Sequence, residues 1–192
     1  MTRTIAIAGC TNHIGTTTQA IQAALAIKDR GLKACYLEMN RTEYLNNVLK
    51  LYRDAMDEKK YIKFRDIDMY KSNFAKSVIQ KDWDYVIRDY GSVNDKTFEE
   101  TSYAEQPLKI VIAGSKPNEI LKTTELLKNP VYEDAYFIFS FVPDNEKLPI
   151  KSAMSSRSSK TFFSDIILDP YELNPNSIKI YQKIINLNEG EN

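Results

Sequence analysis

The N-terminal segment of the chain carries the pattern that most restricts its fold. A short apolar run, Thr4–Ala8, is followed by a polar loop over residues 9–15, and from Thr16 the apolar residues recur with helical spacing. Gly31 is placed to close that helix in a left-handed conformation, and a second strand follows over residues 33–38. A strand, a helix and a second strand in this order form a βαβ unit, whose crossover is right-handed in nearly all proteins. Because this unit joins parallel strands, the chain is predicted to build a parallel sheet.

The same alternation of strands and helices continues through the rest of the chain. Further strands are predicted over residues 84–89, 108–113, 136–142 and 162–168, and helices over residues 45–56, 74–79, 118–128 and 175–187. Thr42 is expected to cap the first of these helices, residues 61–70 to form a short strand or edge ribbon, and the serine-rich residues 151–160 to form a mobile surface loop. The pattern predicts an α/β fold with a doubly wound, mostly parallel sheet flanked by helices.

Length and composition favour one ordinary folded domain over residues 1–192. Lys+Arg and Asp+Glu both number 26, so the formal net charge is zero and no global basic field attracts nucleic acid. Cys10 and Cys35 lack the spacing of a metal or redox site, which favours a reducing compartment. We recognise no signal sequence and no apolar run of membrane-spanning length, so a cytoplasmic protein is expected. Histidine-dependent catalysis is not expected unless His13, the single histidine, performs it.

The loop after the first strand is the first candidate for a binding site, because ligands of open parallel sheets bind beyond the carboxyl ends of the strands. It reads Gly9-Cys-Thr-Asn-His-Ile-Gly-Thr-Thr-Thr18 and leads directly into the helix. Backbone N–H groups and a helix N-terminus in this position bind phosphate. The segment resembles the deviant Walker A loop of the ParA/MinD-type partition and positioning ATPases, Lys-Gly-Gly-x-Gly-Lys-Thr-Thr. The resemblance implies the P-loop NTPase-like fold of that family.

Two lysine positions of the family's motif are occupied by threonine in this chain. Thr11 falls where the family has its signature lysine, and Thr16 falls on the phosphate-binding lysine. Asn12 and His13 stand where the family has paired glycines. Thr17 stands at the position of the hydroxyl that binds Mg²⁺. The loop therefore matches the family in position and length but lacks its cationic side chains.

Two later strands add to the resemblance, which covers roughly residues 3–143 in element order. The sequence Tyr-Leu-Glu38-Met-Asn40 resembles the strand that ends in Asp-x-Asp in the family. Asp89 ends a strand that resembles the Walker B strand. The neutral Asn40 replaces an acidic residue that helps to organise the attacking water in the family.

These departures lead us to expect weak or absent ATP hydrolysis. Catalysis of phosphoryl transfer depends on positioned cations, and loss of an arginine finger costs about 10³- to 10⁵-fold in rate. A lysine–phosphate contact contributes only about 1.5–3 kcal/mol to binding, or about ten- to a hundredfold in affinity. Weak binding of ATP or ADP with Mg²⁺ therefore remains compatible with the loop.

The predicted site consists of the loop and one acid at a strand end. Nucleotide is expected to contact Thr11, Asn12, His13, Ile14, Gly15, Thr16, Thr17 and Thr18, and Mg²⁺ to contact Thr17 and Asp89. Asparagine tolerates positive φ, so Asn12 can preserve the curvature of a glycine loop. Two alternatives stay open: Thr16 caps the helix in a loop that binds nothing specific, and Asp89 is a structural acid oriented by a helix N-terminus.

The resemblance implies a localisation, assembly or regulatory module that acts through protein partners, and it is compatible with a symmetric homodimer. An alternative is an active nucleotide-dependent ATPase or transferase in which Arg41, Arg88 or Lys116 replaces the loop lysine. Arg41 and Arg88 are candidates because each adjoins the end of a strand that faces the crevice.

A third alternative is a DNA-associated accessory protein of a plasmid or conjugative element, with a local basic patch of Lys151, Arg157 and Lys160. The composition gives no strong nucleic-acid signal. The last helix carries Lys179 and Lys183 beside an apolar stripe, as do the membrane-surface helices of some positioning ATPases. Packing of that stripe on the sheet is favoured, so membrane binding is not expected.

Overall fold

A mixed β-sheet runs through the protein, and the computed structural model describes residues 2–190 of the chain. Within this range the strands are β1 (Arg3–Gly9), β2 (Ala34–Glu38), β3 (Met56–Asp57), β4 (Ile62–Phe64), β5 (Ile67–Lys71), β6 (Tyr85–Ser92), β7 (Leu108–Ala113), β8 (Tyr136–Phe139) and β9 (Thr161–Phe163). Their order across the sheet is β3-β4-β5-β2-β6-β1-β7-β8-β9. In the part of the sheet that runs β5-β2-β6-β1-β7-β8-β9, all neighbouring strands are parallel. At the other edge, β3 pairs with β4 and β4 pairs with β5 in antiparallel orientation. The predicted mostly parallel sheet is therefore confirmed.

Helices cover both faces of the sheet. They are α1 (Thr16–Asp29), α2 (Tyr44–Leu51), α3 (Ala75–Ile79), α4 (Glu100–Ala104), α5 (Pro117–Leu126), α6 (Asp144–Ala153) and α7 (Pro175–Glu189). Successive side chains of a strand point to opposite faces. Tyr36 and Ile87 accordingly share a core cluster with α1, whereas Leu37 and Val86 pack with Val78 of α3 on the other face. No helix in the described part of the chain has the length and apolar character needed to cross a membrane.

The predicted βαβ unit at the N-terminus forms as expected. β1 and β2 both pair in parallel with β6, which lies between them. α1 begins at Thr16, and Gly31 closes its end with φ 77° and an N–H that donates to the carbonyl of Lys28 at 2.8 Å. Alanines line the buried side of α1, so the helix lies close to the sheet.

The second predicted helix is shorter than its apolar stripe indicates, and its capping differs from the prediction. α2 ends at Leu51. Thr42 does not cap it: Glu43 occupies the N-cap position, no N-cap side chain accepts from the helix, and the Thr42 hydroxyl donates to Oδ1 of Asn40 at 2.6 Å. The N–H of Tyr44 donates instead to Oε1 of Glu38 at 2.7 Å. The acceptor at the helix N-terminus therefore comes from the neighbouring strand β2 and not from the residue next to the helix.

The serine-rich residues 151–160 are helical, so the prediction of a mobile loop is wrong. α6 continues into this segment, and a 3₁₀ helix follows over Ser155–Lys160. Met154 between the two helices is buried with 4% of its surface exposed. The hydroxyl of Thr161 donates to the carbonyl of Arg157 at 2.8 Å and closes the segment. A buried anchor and this hydrogen bond hold a segment whose composition is typical of a loop.

Other boundaries differ by a few residues. Residues 61–70 form β4 and β5, and the strands expected over residues 136–142 and 162–168 are the shorter β8 and β9. β9 ends where Ser164 turns toward α1, since its hydroxyl oxygen accepts a hydrogen bond from the side-chain amide of Gln19 at 2.7 Å. The N–H of Ser164 still donates to the carbonyl of Phe139 in β8 at 2.9 Å, so the residue that contacts α1 also extends the pairing of this edge by one bond.

The C-terminal helix packs against α1. The hydroxyl of Tyr181 donates to the backbone carbonyl of Gln19 at 2.9 Å and lies 3.0 Å from its Oε1. Ile180, Tyr181 and Ile184 are buried in the same core cluster as α1. The apolar stripe of this helix is thus covered by α1, where the sequence had suggested the sheet.

Gln22 of α1 joins the helix to the segment that precedes α7. It is completely buried. Its side-chain amide donates to the carbonyls of Pro170 at 2.9 Å and Glu172 at 2.7 Å, and its Oε1 accepts from the N–H of Asn174 at 2.9 Å. One side chain therefore satisfies three backbone groups of the connecting segment.

We expect Gln22→Ala to lower the free energy of unfolding by about 2–4 kcal/mol, because it leaves buried backbone groups without partners. Urea denaturation followed by circular dichroism measures the change. Gln80→Ala is the matched control, since Gln80 is exposed, and it should change stability by less than about 0.5 kcal/mol. Equal urea midpoints for the two variants would contradict the bridging role of Gln22.

Candidate functional site

The loop between β1 and α1 lies at the carboxyl edge of the sheet and is sharply curved. Two residues have positive φ, His13 at 59° and Gly15 at 91°. Curvature is therefore provided by His13 and not, as the sequence suggested, by Asn12. A Cβ atom on Gly9 would lie 2.2 Å from Oγ1 of Thr16, so only glycine permits this close approach between strand and helix.

Ile14 anchors the loop from below. Its side chain is 3% exposed and lies between two glycines at the ends of β1 and β7. Cβ atoms on Gly9 and Gly114 would lie 2.6 Å from its Cγ2 and 2.8 Å from its Cδ1. The side chain of Ile14 is thus part of the core, and only its backbone remains for contact with a ligand.

The loop forms one wall of an open cleft of about 550 Å³. The cleft is lined by Thr11, Asn12, His13, Gly15, Thr16, Thr17, Thr18, Thr42, Tyr44, Gly91, Ser92 and Asp95. The structure therefore brings together all of the predicted loop residues except Ile14. The site residues named from the sequence do not include Thr42 and Tyr44 near the start of α2 or Gly91, Ser92 and Asp95 at and after the end of β6.

Asp89 lies beneath the cleft and is completely buried near the end of β6. Its Oδ2 accepts hydrogen bonds from the hydroxyls of Thr17 and Tyr36, each at 2.7 Å, and its Oδ1 accepts one from the N–H of Gly91 at 2.9 Å. Burial raises the pKa of Asp89, and these hydrogen bonds oppose that rise. The carboxylate joins α1 and β2 to β6, and the predicted pair of Thr17 and Asp89 is in direct contact.

Tyr36 is a site residue that the sequence analysis did not identify. It is fully buried, and burial together with the charge of Asp89 raises its pKa well above the ordinary value, so the phenol donates a proton to the hydrogen bond. A signal for it existed in the alternation of β2. Tyr36 and Glu38 point to the same face, and β2 pairs with β6 so that Glu38 lies opposite Asp89.

Glu38 and Asn40, which occupy the two acidic positions of the family's strand motif, are both used in hydrogen bonds within the protein. Glu38 is 4% exposed and accepts the N–H of Tyr44; burial raises the pKa of its carboxyl group. The amide of Asn40 donates to the carbonyl of Asp89 at 3.1 Å, and its Oδ1 accepts from the N–H and hydroxyl of Thr42. These side chains hold β2, β6 and α2 together at the edge of the cleft.

The lining of the cleft is acidic and rich in hydroxyl groups. None of the lining residues that the structure describes is lysine or arginine. Hydrogen bonds from the N–H and hydroxyl of Thr97 lower the pKa of Asp95, so this carboxylate is ionised at the rim. The charge of the exposed Arg41 also lowers that pKa, which places Arg41 within electrostatic range of the rim. Burial raises the pKa of Tyr44 to about 12, so its hydroxyl is neutral.

The other two cations considered as replacements for the loop lysine do not reach the cleft. Arg88 directly precedes Asp89 in β6, so its side chain points to the opposite face of the sheet. Nζ of Lys116 lies 3.8 Å from Oε1 of Glu119 at the start of α5. Neither residue lines the cleft.

No family model matches the sequence, and no curated protein matches it either. Solved structures do resemble it. The MinD cell division protein of Aquifex aeolicus has a TM-score of 0.69 and 14% identity, with 99% of this chain and 98% of that chain covered. A chain of the MinC:MinD cell division complex of the same organism has a TM-score of 0.64 and 12% identity, with 99% and 96% covered. A protein of Borrelia burgdorferi bound to AMPPNP and described as a plasmid partition protein has a TM-score of 0.68 and 13% identity, with 100% of each chain covered.

At these identities the likeness concerns the fold and not the chemistry of the site. The aligned regions span nearly the whole of this chain and of its neighbours. The chain has the P-loop NTPase-like fold of the ParA/MinD-type ATPases.

Proposed function

We propose that the chain is a localisation, assembly or regulatory module with weak or no ATP hydrolysis, which acts in the cytoplasm through protein partners. One observation carries the proposal. The cleft keeps the curved loop, the helix N-terminus and the buried acid of a phosphate-binding site, but its described lining contains no lysine or arginine.

A triphosphate in this cleft would meet neutral donors and negative charge. Asp95 is ionised at the rim, and Asp89 lies beneath the loop. Hydroxyl and backbone N–H groups bind phosphate in its ground state, but transfer of a phosphoryl group needs positioned cations that stabilise the transition state. Binding should therefore be weak and hydrolysis slower still.

The residues present fit a nucleotide with Mg²⁺ in part. No side chain caps the N-terminus of α1, so its first N–H groups remain available to an anion. Thr17 donates its hydroxyl proton to Asp89 and keeps oxygen lone pairs that would hold Mg²⁺. Thr16 and Thr18 would contact phosphate oxygens. A bound Mg²⁺ would supply positive charge that the loop itself lacks.

Protein partners follow from the same reasoning, because a module that does not turn over substrate acts by binding. The MinC:MinD complex among the similar structures is a protein complex by its name. We propose that this chain also binds a protein partner and that it forms a symmetric homodimer.

The second candidate function is an active ATPase that uses Arg41. This residue is favoured over the other cations because its charge acts on Asp95 at the rim of the cleft. An exposed arginine on a connecting loop can approach a bound phosphate when the loop closes.

DNA binding through Lys151, Arg157 and Lys160 has less support. Nζ of Lys160 donates to the carbonyl of Asp134 at 3.3 Å and lies 3.9 Å from its Oδ1. The acidic neighbour offsets part of the local positive charge, so we do not propose DNA as the main partner.

The role of Asp89 can be read from the pH dependence of stability. Burial raises its folded pKa above the unfolded value of about 3.9, so the folded state binds a proton more tightly. Protonated Asp89 makes its full contribution to the free energy of unfolding at pH values below the unfolded pKa. This contribution is lost as pH rises through the folded pKa.

We expect Thr16→Lys to tighten binding of Mg·ATP by about ten- to a hundredfold, because it adds the charge-assisted contact that the loop lacks. Isothermal titration calorimetry with ATP and ADP, with and without Mg²⁺, measures the change. Asn47→Lys adds the same charge at an exposed position of α2 that does not line the cleft, and it should tighten binding by less than about threefold. Tight Mg·ATP binding by the unaltered protein would contradict the proposal.

For hydrolysis, we expect the unaltered protein and the Arg41→Ala variant both to release phosphate at the background rate. The reason is that the described lining of the cleft holds no lysine or arginine to contact the phosphates. A malachite-green assay with Mg·ATP measures it. Turnover that falls about a hundredfold or more in Arg41→Ala, but not in Arg88→Ala, would replace the proposal by the second candidate.

We expect the destabilisation caused by Asp89→Asn to be larger at pH 4 than at pH 8, since only the unaltered protein loses stability as pH rises from the unfolded pKa of about 3.9 through the raised folded pKa. Urea denaturation across this range measures the difference. Lys33 lowers the pKa of Asp82, so the effect of Asp82→Asn should stay constant from pH 5 to 8. An effect of Asp89→Asn that grows with pH would contradict the assignment of a raised pKa.

A further inference from the structure

Three aromatic side chains form a cage on the face of the sheet that α3 covers. They are Tyr61, which directly precedes β4, Tyr70 of β5, and Trp83 in the turn before β6. The rings of Tyr61 and Tyr70 stack with centroids 5.3 Å apart. The rings of Tyr70 and Trp83 meet edge to face at 78°, with centroids 6.4 Å apart. None of these residues lines the cleft, so the aromatic cage is separate from the phosphate loop.

The aromatic cage is filled by an ammonium group of the chain itself. Nζ of Lys81 lies 4.0 Å from the ring centroid of Tyr61. It lies 5.4 Å from the centroid of Tyr70 and 5.6 Å from that of Trp83. A cation within about 6 Å of such a centroid is attracted by the negative face of the ring. The structure therefore shows directly which kind of group the cage holds.

A primary ammonium group is not the cation that suits this cage best. Within residues 2–190, Nζ of Lys81 forms no hydrogen bond, and its ion pair with Oδ2 of Asp68 spans 3.8 Å. Its three N–H donors therefore depend on water, which reaches a side chain that is 43% exposed. A trimethylammonium group has no N–H donor to satisfy. It keeps the attraction of the rings and of the carboxylate.

Packing alone does not account for the residue types in the cage. The hydroxyl of Tyr70 and Nε1 of Trp83 are buried, and neither has a hydrogen-bond partner among the residues that the structure describes. Buried polar atoms normally have a partner, and phenylalanine at both positions would avoid burying these two atoms. Tryptophan is the aromatic residue that binds cations best, so a cation site accounts for Trp83 where packing does not.

The lysine can leave the cage while the backbone around it stays in place. The N–H of Lys81 donates to the carbonyl of Val78 at 3.2 Å, and that of Trp83 donates to the carbonyl of Lys81 at 3.0 Å. The side chain of Lys81 is held only by the rings and by the long ion pair with Asp68. Contacts of this kind at exposed groups are individually weak. A ligand therefore competes with a weak contact inside the chain.

We propose that the aromatic cage binds a trimethylammonium group, which takes the place of the Lys81 side chain. The head of the ligand lies on the rings of Tyr61, Tyr70 and Trp83, and Asp68 supplies the opposite charge. The cage and α1 lie on opposite faces of the sheet. The proposal is therefore independent of nucleotide binding and of the proposed function.

Trp83 is the single tryptophan of the chain, so its fluorescence reports directly on the cage. We expect choline chloride to change this fluorescence saturably, compared with sodium chloride at equal ionic strength. Lys81→Gln should tighten choline binding by about threefold or more, because it removes the internal competitor. Lys76→Gln removes the same charge at an exposed position of α3 and should change the affinity by less than about 1.5-fold.

A second variant tests the rings themselves. In the Lys81→Gln background, Tyr61→Leu should weaken choline binding by about threefold or more, because it removes the ring closest to the cation and keeps an apolar side chain. Circular dichroism checks that this variant is folded. A peptide with one trimethyllysine distinguishes two carriers of the same group. Tighter binding than choline assigns the cage to a protein partner, and weaker binding assigns it to a small molecule.

Three results would overturn the proposal. The first is the absence of a saturable change with choline in the Lys81→Gln variant. The second is an equal effect of Lys81→Gln and Lys76→Gln, which would reduce the cage to unspecific charge. The third is equal affinity for dimethylbutanol, in which carbon replaces the quaternary nitrogen of choline, because the site would then be only an apolar patch. None of these substitutions alters the phosphate loop, so titration with Mg·ATP reports on the proposed function independently.

Discussion

The carboxylate of Asp89 is the group on which the edge of the sheet depends. It is removed from water, and three donors compensate its burial: the hydroxyls of Thr17 in α1 and Tyr36 in β2, and the N–H of Gly91 in the same strand. A buried carboxylate without such donors would be strongly destabilising. The hydrogen bonds thus fix how far α1 and β2 lie from the end of β6, and with them the shape of the cleft above.

A shaped cleft is not by itself a catalytic one. The curved loop and the exposed N-terminus of α1 offer N–H groups to an anion, and the threonines offer hydroxyl groups. All of these are neutral. The acid at the rim, Asp95, adds charge of the sign that phosphate avoids.

Much of the fold could be predicted because periodicity distinguishes strands from helices wherever one face is buried. β7 was predicted at its observed bounds, and α1 begins at the predicted Thr16. α6 was missed since none of its residues is buried, so it has no apolar stripe to detect. The capping of α2 was wrong for another reason. Its acceptor, Glu38, lies in β2, and only the packing of strand against helix brings the carboxylate to the N–H of Tyr44.

The sequence by itself determined the chemistry of the phosphate loop. Threonines stand at both lysine positions, Thr11 and Thr16, and folding does not change the side chains that the loop itself carries. It also determined the order of strands and helices, because apolar spacing is local. Only the tertiary structure decided which distant side chains surround the loop. It placed Tyr36 against Asp89, turned Arg88 to the other face and left Arg41 near the rim. The physical reason is that pairing between strands, and the face on which a side chain then emerges, depend on contacts between segments far apart in the chain.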